Sequence, residues 1–306
     1  MTSSLHDHEV ALGEHVIRGL LREQRPEWAE LPLAPAGAGT DNSLYRLGDD
    51  LLLRLPRTPG TAGAVAKEQR WLPRLAPDLP VAVPEPVHEG RPGPGYPLAW
   101  SVYRWIEGDE IREDTVEDWA ALGRDLAGFV AALQSVDLMG ARRAGDLSSY
   151  RGGAPADIDG FVRGSLAGCR LLVEHEGLAL DVDRLEALWR DAVGLPAPAS
   201  EHVWLHSDLK PTNLLVRDGR LAAVIDFGGL SIGHPDAEHA PQWDLPAPAR
   251  DAYRERLGLE DLTWRRARAW ALAVGVSGVP YYWDTYPAFV DECLRRLHNV
   301  LADAAA

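Results

Sequence analysis

Residues 202–229, "HVWLHSDLKPTNLLVRDGRLAAVIDFGG", decide how this chain is read. The stretch is rich in β-formers. It places Asp-Gly between "NLLVR" and "RLAAVID", a pair that favours a two-residue hairpin because both positions tolerate positive φ. Asp208 and Asn213 precede the first strand, and Asp226 follows the second. A hairpin brings its ends together, so Asn213 and Asp226 are expected as near neighbours. An amide oxygen and a carboxylate suit Mg²⁺, a hard cation that takes oxygen ligands and keeps water and phosphate oxygens in its shell. Asp208 is then left to orient and deprotonate a hydroxyl. Phosphoryl transfer needs these parts: a positioned nucleophile, a metal on the phosphates, and little covalent work by the protein. His206 reads as a prop bonded to the backbone. Lys210 could reach a γ-phosphate or face water, and Ser207 carries no assigned role.

Upstream, "GAGTDNSLYRL" (37–47) puts small and hydroxylated residues in a strand-to-strand turn. Small residues let backbone N–H groups approach phosphates, so Gly39, Thr40, Asn42 and Ser43 are expected nucleotide contacts. Arg54 follows, set among leucines in "LLLRLPR". A charge in that setting must find an anion, either phosphate or a carboxylate. Glu68, in the next helix, is the natural partner, while Lys67 is expected to point to solvent. "SVYRWIEG" (101–108) would link two lobes, with Tyr103 and Trp105 beside a nucleotide base.

The texture along the chain supports two parts. Residues 9–24 and 61–76 have helical spacing, "APAGAGTDNSLYRLGDDLLLRLPR" reads as strands around a "GDD" turn, and 83–108 is proline-punctuated and strand-like. After Gly108 helical patterns dominate. One opens on Thr115 and Asp118 as a capping-box-like start, and others cover 157–176, 181–193, 247–257, 261–276 and 286–303. The fold class is therefore α+β: a small antiparallel β-sheet lobe over 1–107 and a mostly helical lobe over 108–306.

Bulk properties narrow the partners. Charged residues are 25% of the chain, which fits a folded protein rather than a disordered one. Two cysteines, Cys169 and Cys293, make neither a disulfide framework nor a metal site, so a cytoplasmic protein is expected. No signal peptide or membrane span is legible. Most of the net charge of −15 falls after residue 107. That balance disfavours nucleic acid or an anionic membrane and suits a cationic ligand.

The order H-x-D-x-K-P-x-N, then D-F-G, is similar to the catalytic and metal-binding loops of protein kinases and their relatives. With "GTDNSLYRLGDDLLLRLPR", "WSVYRWIEG" and "VIDFGGLSIGHPDAE" in the same order, nearly the whole chain resembles the aminoglycoside phosphotransferase family. The resemblance implies a bilobal protein-kinase-like fold. It implies Asp208 as catalytic base, Asn213 and Asp226 as Mg²⁺ ligands, and Arg54, paired with Glu68, as the phosphate-contacting residue. ATP or GTP would be the donor, with bulky Tyr103 at the base pocket raising GTP use. The chain departs from the family at Ser207 and Lys210, where glycine and histidine or glutamine are common. It departs again at "GHPDAE", where the family shows "GDPAxD".

The acceptor would be a small hydroxylated molecule, with an aminated antibiotic sugar the first expectation. Carboxylates beside aromatic faces suit such a cation, which singles out Trp243, Asp244, Tyr282, Trp283 and Asp284. A macrolide, a nucleoside, or a choline-, homoserine- or sugar-like metabolite are alternatives, as is a non-catalytic nucleotide-binding relative. A protein kinase is disfavoured, because the short span from Asp226 to Trp243 leaves little room for an activation loop. A monomer or weak dimer is expected.

Overall fold

The structure is a computed structural model that describes residues 9–10, 12–38 and 41–305. Two expected nucleotide contacts, Gly39 and Thr40, lie outside the described residues. The chain divides into two compact units, Met1–Gly108 with Ala223–Gly228, and Asp109–Ala222 with Gly229–Ala306.

The first unit contains α1 (Glu14–Gln24), β1 (Leu33–Ala38), β2 (Asn42–Leu47), β3 (Leu51–Pro56), α2 (Gly63–Leu75), β4 (Pro86–Gly90) and β5 (Trp100–Arg104). Its five strands form one antiparallel sheet in the order β1-β2-β3-β5-β4. The turn between β2 and β3 uses Gly48 at φ 58, backbone that glycine adopts without steric cost. Central β3 buries Leu53 and Leu55 with Trp100 and Val102 of β5, against Ile17, Leu20 and Leu21 of α1. Helix α2 buries Val65, Glu68, Trp71, Leu72 and Leu75, a helical stripe that carries a carboxylate inward with the apolar residues. Lys67 is buried too, at 8% exposure, contrary to the expectation of a solvent-facing lysine. Ala223–Gly228 belongs to this unit because Ala223 bridges Ala82 and Val224 N–H donates to Ala82 O at 3.0 Å. Asp226 thus groups with the first unit rather than with residues 108–306.

The second unit begins with β6 (Asp109–Glu110) and α3 (Trp119–Ser135). Asp118, not Thr115, caps α3, its carboxylate accepting from Ala121 N at 2.9 Å; Thr115 Oγ donates instead to Glu110 O at 2.9 Å. After α4 (Asp159–Glu176) and α5 (Val182–Val193) come β7 (Val203–Leu205), β8 (Leu214–Arg217), β9 (Arg220–Val224) and β10 (Ser231–Gly233). Strands β8 and β9 are neighbours, and the turn between them has Asp218 at φ 52 and Gly219 at φ 72, the geometry the Asp-Gly pair favours. β7 pairs antiparallel with β10, Leu205 opposite Ser231.

A 3-10 stretch, Pro235–Asp244, leads into α6 (Ala247–Leu257), α7 (Asp261–Tyr282) and α8 (Pro287–Asp303). α3 and α6 approach so closely at Gly123 that an added Cβ would lie 2.1 Å from Ala249 O. Helix α7 packs against α4, α5, α8 and the 3-10 stretch. It runs past the expected end at 276, through Pro280, because Val276 and Val279 keep its buried face apolar for another turn.

Candidate active site

In the second unit, β7 ends at Leu205 and the chain turns into His206, Ser207 and Asp208. Ser207 adopts left-handed backbone, φ 70, which a residue with a Cβ occupies at a cost of about 1–2 kcal/mol. Glu238, from the 3-10 stretch, offsets that cost. Its Oε1 accepts His206 N–H and its Oε2 accepts Ser207 N–H, both at 2.8 Å. Ser207 Oγ also shares a hydrogen bond with Ser231 Oγ of β10 at 2.9 Å. His206 is fully buried, and its Nδ1 accepts from Asp208 N at 3.2 Å, a backbone prop as its position suggests. Burial raises the Glu238 carboxyl to about 7, against the two N–H donors that lower it.

Asp208 emerges from this anchored turn with its side chain 35% exposed. Arg151 donates through Nη1 to Asp208 Oδ1 at 3.2 Å and to Ser207 O. Lys210 Nζ lies 3.8 Å from Asp208 Oδ2. Burial would raise the Asp208 carboxyl, but the Arg151 guanidinium, with Lys210 and His206, outweighs it and holds the group at about 2. Asn213 donates its amide N–H to Asp208 O at 2.7 Å and to Oδ2 at 3.1 Å. That leaves Asn213 Oδ1 with no donor among the described residues. The loop therefore presents an ionised carboxylate and, from buried Asn213, an amide oxygen, fixed by backbone anchors. A small pocket lies beside them, lined by Arg151, Ala237, Ala240, Pro241, Trp270 and Arg296.

The first unit holds a separate charged network. Arg54 of β3 donates through Nη1 to Glu68 Oε1 at 2.6 Å and through Nη2 to Asp226 Oδ1. Tyr103 of β5 donates its hydroxyl to Glu68 Oε2. Asn42 completes the set once its amide is turned so that the oxygen faces Arg54, where it accepts from Nη2 and Nε at 3.0 Å. Burial pushes Glu68 up against the pull of Arg54. Burial also works against the Arg54 charge, but Glu68 and Asp226 win and raise its pKa. Asp226 has left-handed backbone, φ 60, and a side chain 42% exposed.

Other expected contacts are placed less simply. Ser43 sits in β2 opposite Leu55, and Tyr103 is a buried network member at 2% exposure rather than an open aromatic wall. Trp105 follows β5, its backbone N–H donating to Asp50 O at 2.8 Å and its ring covered by the Arg46 guanidinium at 4.4 Å. The acceptor candidates separate. Trp243 is fully buried and packs on Trp264, 4.6 Å between ring centroids. Asp244 is committed to Arg296, which grips both its oxygens at 2.6 and 2.5 Å. Neither offers a free face or charge to a ligand, because the indole is packed on Trp264 and both Asp244 oxygens are taken by Arg296. Tyr282 ends α7 in an aromatic cluster with Tyr281, Tyr286 and Phe289, Trp283 is half-buried, and Asp284 is exposed.

Two residues lining the pocket at Asp208 carry no motif that spacing could reveal. Arg151 lies in a short 3-10 turn, Tyr150–Gly152, and Arg296 on α8, each far from the loop in sequence. Glu238 had a signal, since it ends the acidic "GHPDAE" run. Within that run Asp236 is buried and paired with Arg266 at 2.6 Å, and His234 packs edge-on to His202.

No curated protein sequence matches the chain significantly. Among solved structures, the GDP complex of aminoglycoside 2'-phosphotransferase-IIIa is similar at TM-score 0.74 and 20% identity, over 96% of this chain and 100% of that one. The streptomycin-ATP-APH(2")-IIa ternary complex is similar at TM-score 0.60 and 17% identity, over 87% and 91%. Macrolide 2'-phosphotransferase MphH from Brachybacterium faecium is similar at TM-score 0.57 and 24% identity, over 88% and 91%. At these identities the likeness establishes a shared fold. A family model matches residues 32–270, which takes in the Arg54 network, the Asp208 loop and Glu238, and the chain belongs to the phosphotransferase enzyme family.

Proposed function

We propose that the protein transfers the γ-phosphate of ATP or GTP to a hydroxyl of a small molecule. The observation that carries this is Asp208: an ionised, part-exposed carboxylate on a turn pinned by Glu238, beside a pocket. The acceptor hydroxyl would donate its hydrogen bond to Asp208 and lose its proton there as its oxygen attacks the γ-phosphorus. The bond from phosphorus to the β–γ bridging oxygen breaks, and the nucleoside diphosphate leaves. A carboxylate held near 2 is a weak base, so its work is chiefly to aim the hydroxyl and take the proton late.

Asn213 and Asp226 are the residues that would hold Mg²⁺. Taken each by itself, Asn213 offers an amide oxygen whose nitrogen is held by Asp208, and Asp226 a part-exposed carboxylate, the kind of hard oxygen donors that Mg²⁺ takes. When bound, the metal would neutralise charge on the nucleotide phosphates. Arg54, held by Glu68 and Asn42, would present its guanidinium to phosphate, and Ser43, Trp105, Gly39 and Thr40 remain candidate nucleotide contacts by the family pattern. Relatives of this fold are described in complex with GDP and with ATP, which supports a nucleotide donor of either base. Free, buried Cys169 and Cys293 support a cytoplasmic setting. Among the described residues no helix is long and apolar enough to cross a membrane.

Purified protein with ATP or GTP, Mg²⁺ and a panel of hydroxylated compounds, aminoglycosides and macrolides among them, should yield a product heavier by one phosphate in mass spectrometry. Asp208→Asn should abolish transfer while nucleotide binding persists. Normal turnover by that variant would remove Asp208 from the chemistry, and turnover undiminished in EDTA would remove the metal.

A further inference from the structure

The pocket beside Asp208 has a charge character unlike the chain as a whole. Two guanidiniums, Arg151 and Arg296, share it with Ala237, Ala240, Pro241 and Trp270. Arg296 spends Nε and Nη2 on Asp244, and its Nη1 has no partner among the described residues. Arg151 spends Nη1 on Ser207 O and Asp208 and Nε on Tyr150 Oη at 3.2 Å, leaving Nη2 without one. Trp270 keeps a buried indole N–H unpartnered. The one carboxylate lining the pocket, Asp208, is engaged by Arg151 and Lys210, and Asp244 nearby by Arg296; Glu292, one turn before Arg296 on α8, adds negative charge near Lys210 and Arg296 but is not among the lining residues. Among the described residues, the uncommitted polar groups lining this pocket are thus hydrogen-bond donors, two of them guanidinium edges and one a neutral indole N–H.

We infer that the acceptor is a hydroxylated anion, its carboxylate or phosphate seated on the free guanidinium edges of Arg296 and Arg151 while its hydroxyl faces Asp208. A guanidinium fork matches the two oxygens of such a group, and a charge-assisted hydrogen bond is stronger than a neutral one. An ammonium-rich acceptor would meet donors in place of acceptors, so the aminated sugar expected from sequence is disfavoured. The chain's net charge of −15 does not reverse this, because exposed charges beyond a Debye length of about 8 Å are largely screened. The inference rests on the phosphotransferase reading only in calling the occupant an acceptor.

The test is a matched series of sugars that differ in charge: glucuronate, glucose 6-phosphate, glucose and glucosamine, with kanamycin as a polycation. Each is titrated by calorimetry into the full chain saturated with ADP and Mg²⁺, which keeps phosphate groups out of the nucleotide site. Glucuronate or glucose 6-phosphate should bind about tenfold or more tighter than glucose, as charge-assisted contacts to a buried guanidinium imply. Whichever of the two binds tighter names the anion as carboxylate or phosphate. Glucosamine and kanamycin should bind most weakly. Arg296→Lys keeps a cation opposite Asp244 but loses the second nitrogen edge, and should erase most of the anion preference. The wild-type ranking stands without that variant should it fold poorly. Tighter binding of glucosamine or kanamycin, equal binding across the series, or no binding of any probe would overturn the inference. Phosphorylation of kanamycin in preference to the anions would also overturn it and leave the phosphotransferase reading intact. Binding of anions without phosphate transfer to any hydroxyl would do the reverse.

Discussion

The Arg151 guanidinium lies 3.2 Å from Asp208 Oδ1 although the two residues are 57 positions apart in the chain. Arg151 also holds the Ser207 carbonyl, so one side chain fixes both the charge and the direction of the candidate base. Asp208 has its pKa depressed from 3.8 to about 2, and its contribution to stability is therefore present above about 3.8 and lost as pH falls through about 2.

Arg151→Gln removes that hold. The acid limb of the pH–rate profile should move upward toward the ordinary aspartate range, and kcat should fall on the order of 10²-fold because the hydroxyl is less well aimed. Arg151→Lys should recover part of the pH shift. An unchanged acid limb in Arg151→Gln would show that Arg151 supports the fold only.

Glu238 gives a pH-dependent stability of opposite sign. Its carboxyl is raised by burial from 4.5 to about 7, so the unfolded chain loses this proton first as pH rises. The contribution is fully present below about 4.5 and lost through about 7, on the order of 3 kcal/mol across the window. Glu238→Gln should lack this slope. Urea unfolding of both proteins at pH 5 and pH 8 reads the difference; parallel curves would refute the assignment. The variant should also lose activity at both pH values, because one backbone N–H at 206 or 207 then faces an amide donor.

Arg54 and Glu68 are both buried, so breaking the pair strands a charge. Arg54→Met should cost about 3–5 kcal/mol, measured by chemical denaturation. Arg54→Met with Glu68→Met should recover much of it, since an apolar pair of similar volume leaves no buried charge. Tyr103→Phe should cost less, about 1–3 kcal/mol, for one donor to Glu68.

Ser207 separates backbone strain from side-chain bonding. Ser207→Gly relaxes φ 70 but removes the bond to Ser231, two opposed terms of about 1 kcal/mol each, so its Tm should change little. Ser207→Val keeps the strain, adds a β-branch and strands the buried Ser231 hydroxyl, and should destabilise by about 2–3 kcal/mol. Equal Tm values for the two variants would contradict the strained turn.

Elements whose causes are local are legible along the chain. The Asp-Gly turn between Leu214–Arg217 and Arg220–Val224 follows from two adjacent residues that tolerate positive φ. The helices at 247–257, 286–303 and 181–193 follow from apolar spacing, and the order from Arg54 and Glu68 to Asp208, Asn213 and Asp226 marks the family. Tertiary structure decided what no spacing encodes. Long side chains reach across many residues to whichever charge burial leaves unpaired, and so Arg151 and Glu238 converge on the 206–208 turn. The same rule withdraws Asp244 from ligand reach, because Arg296 takes both its oxygens. It also turns Lys67 inward and Tyr103 onto Glu68, where the sequence offered only a helix position and a strand aromatic. Periodicity records which face of an element is apolar; which charges meet on that face is settled only when the elements pack.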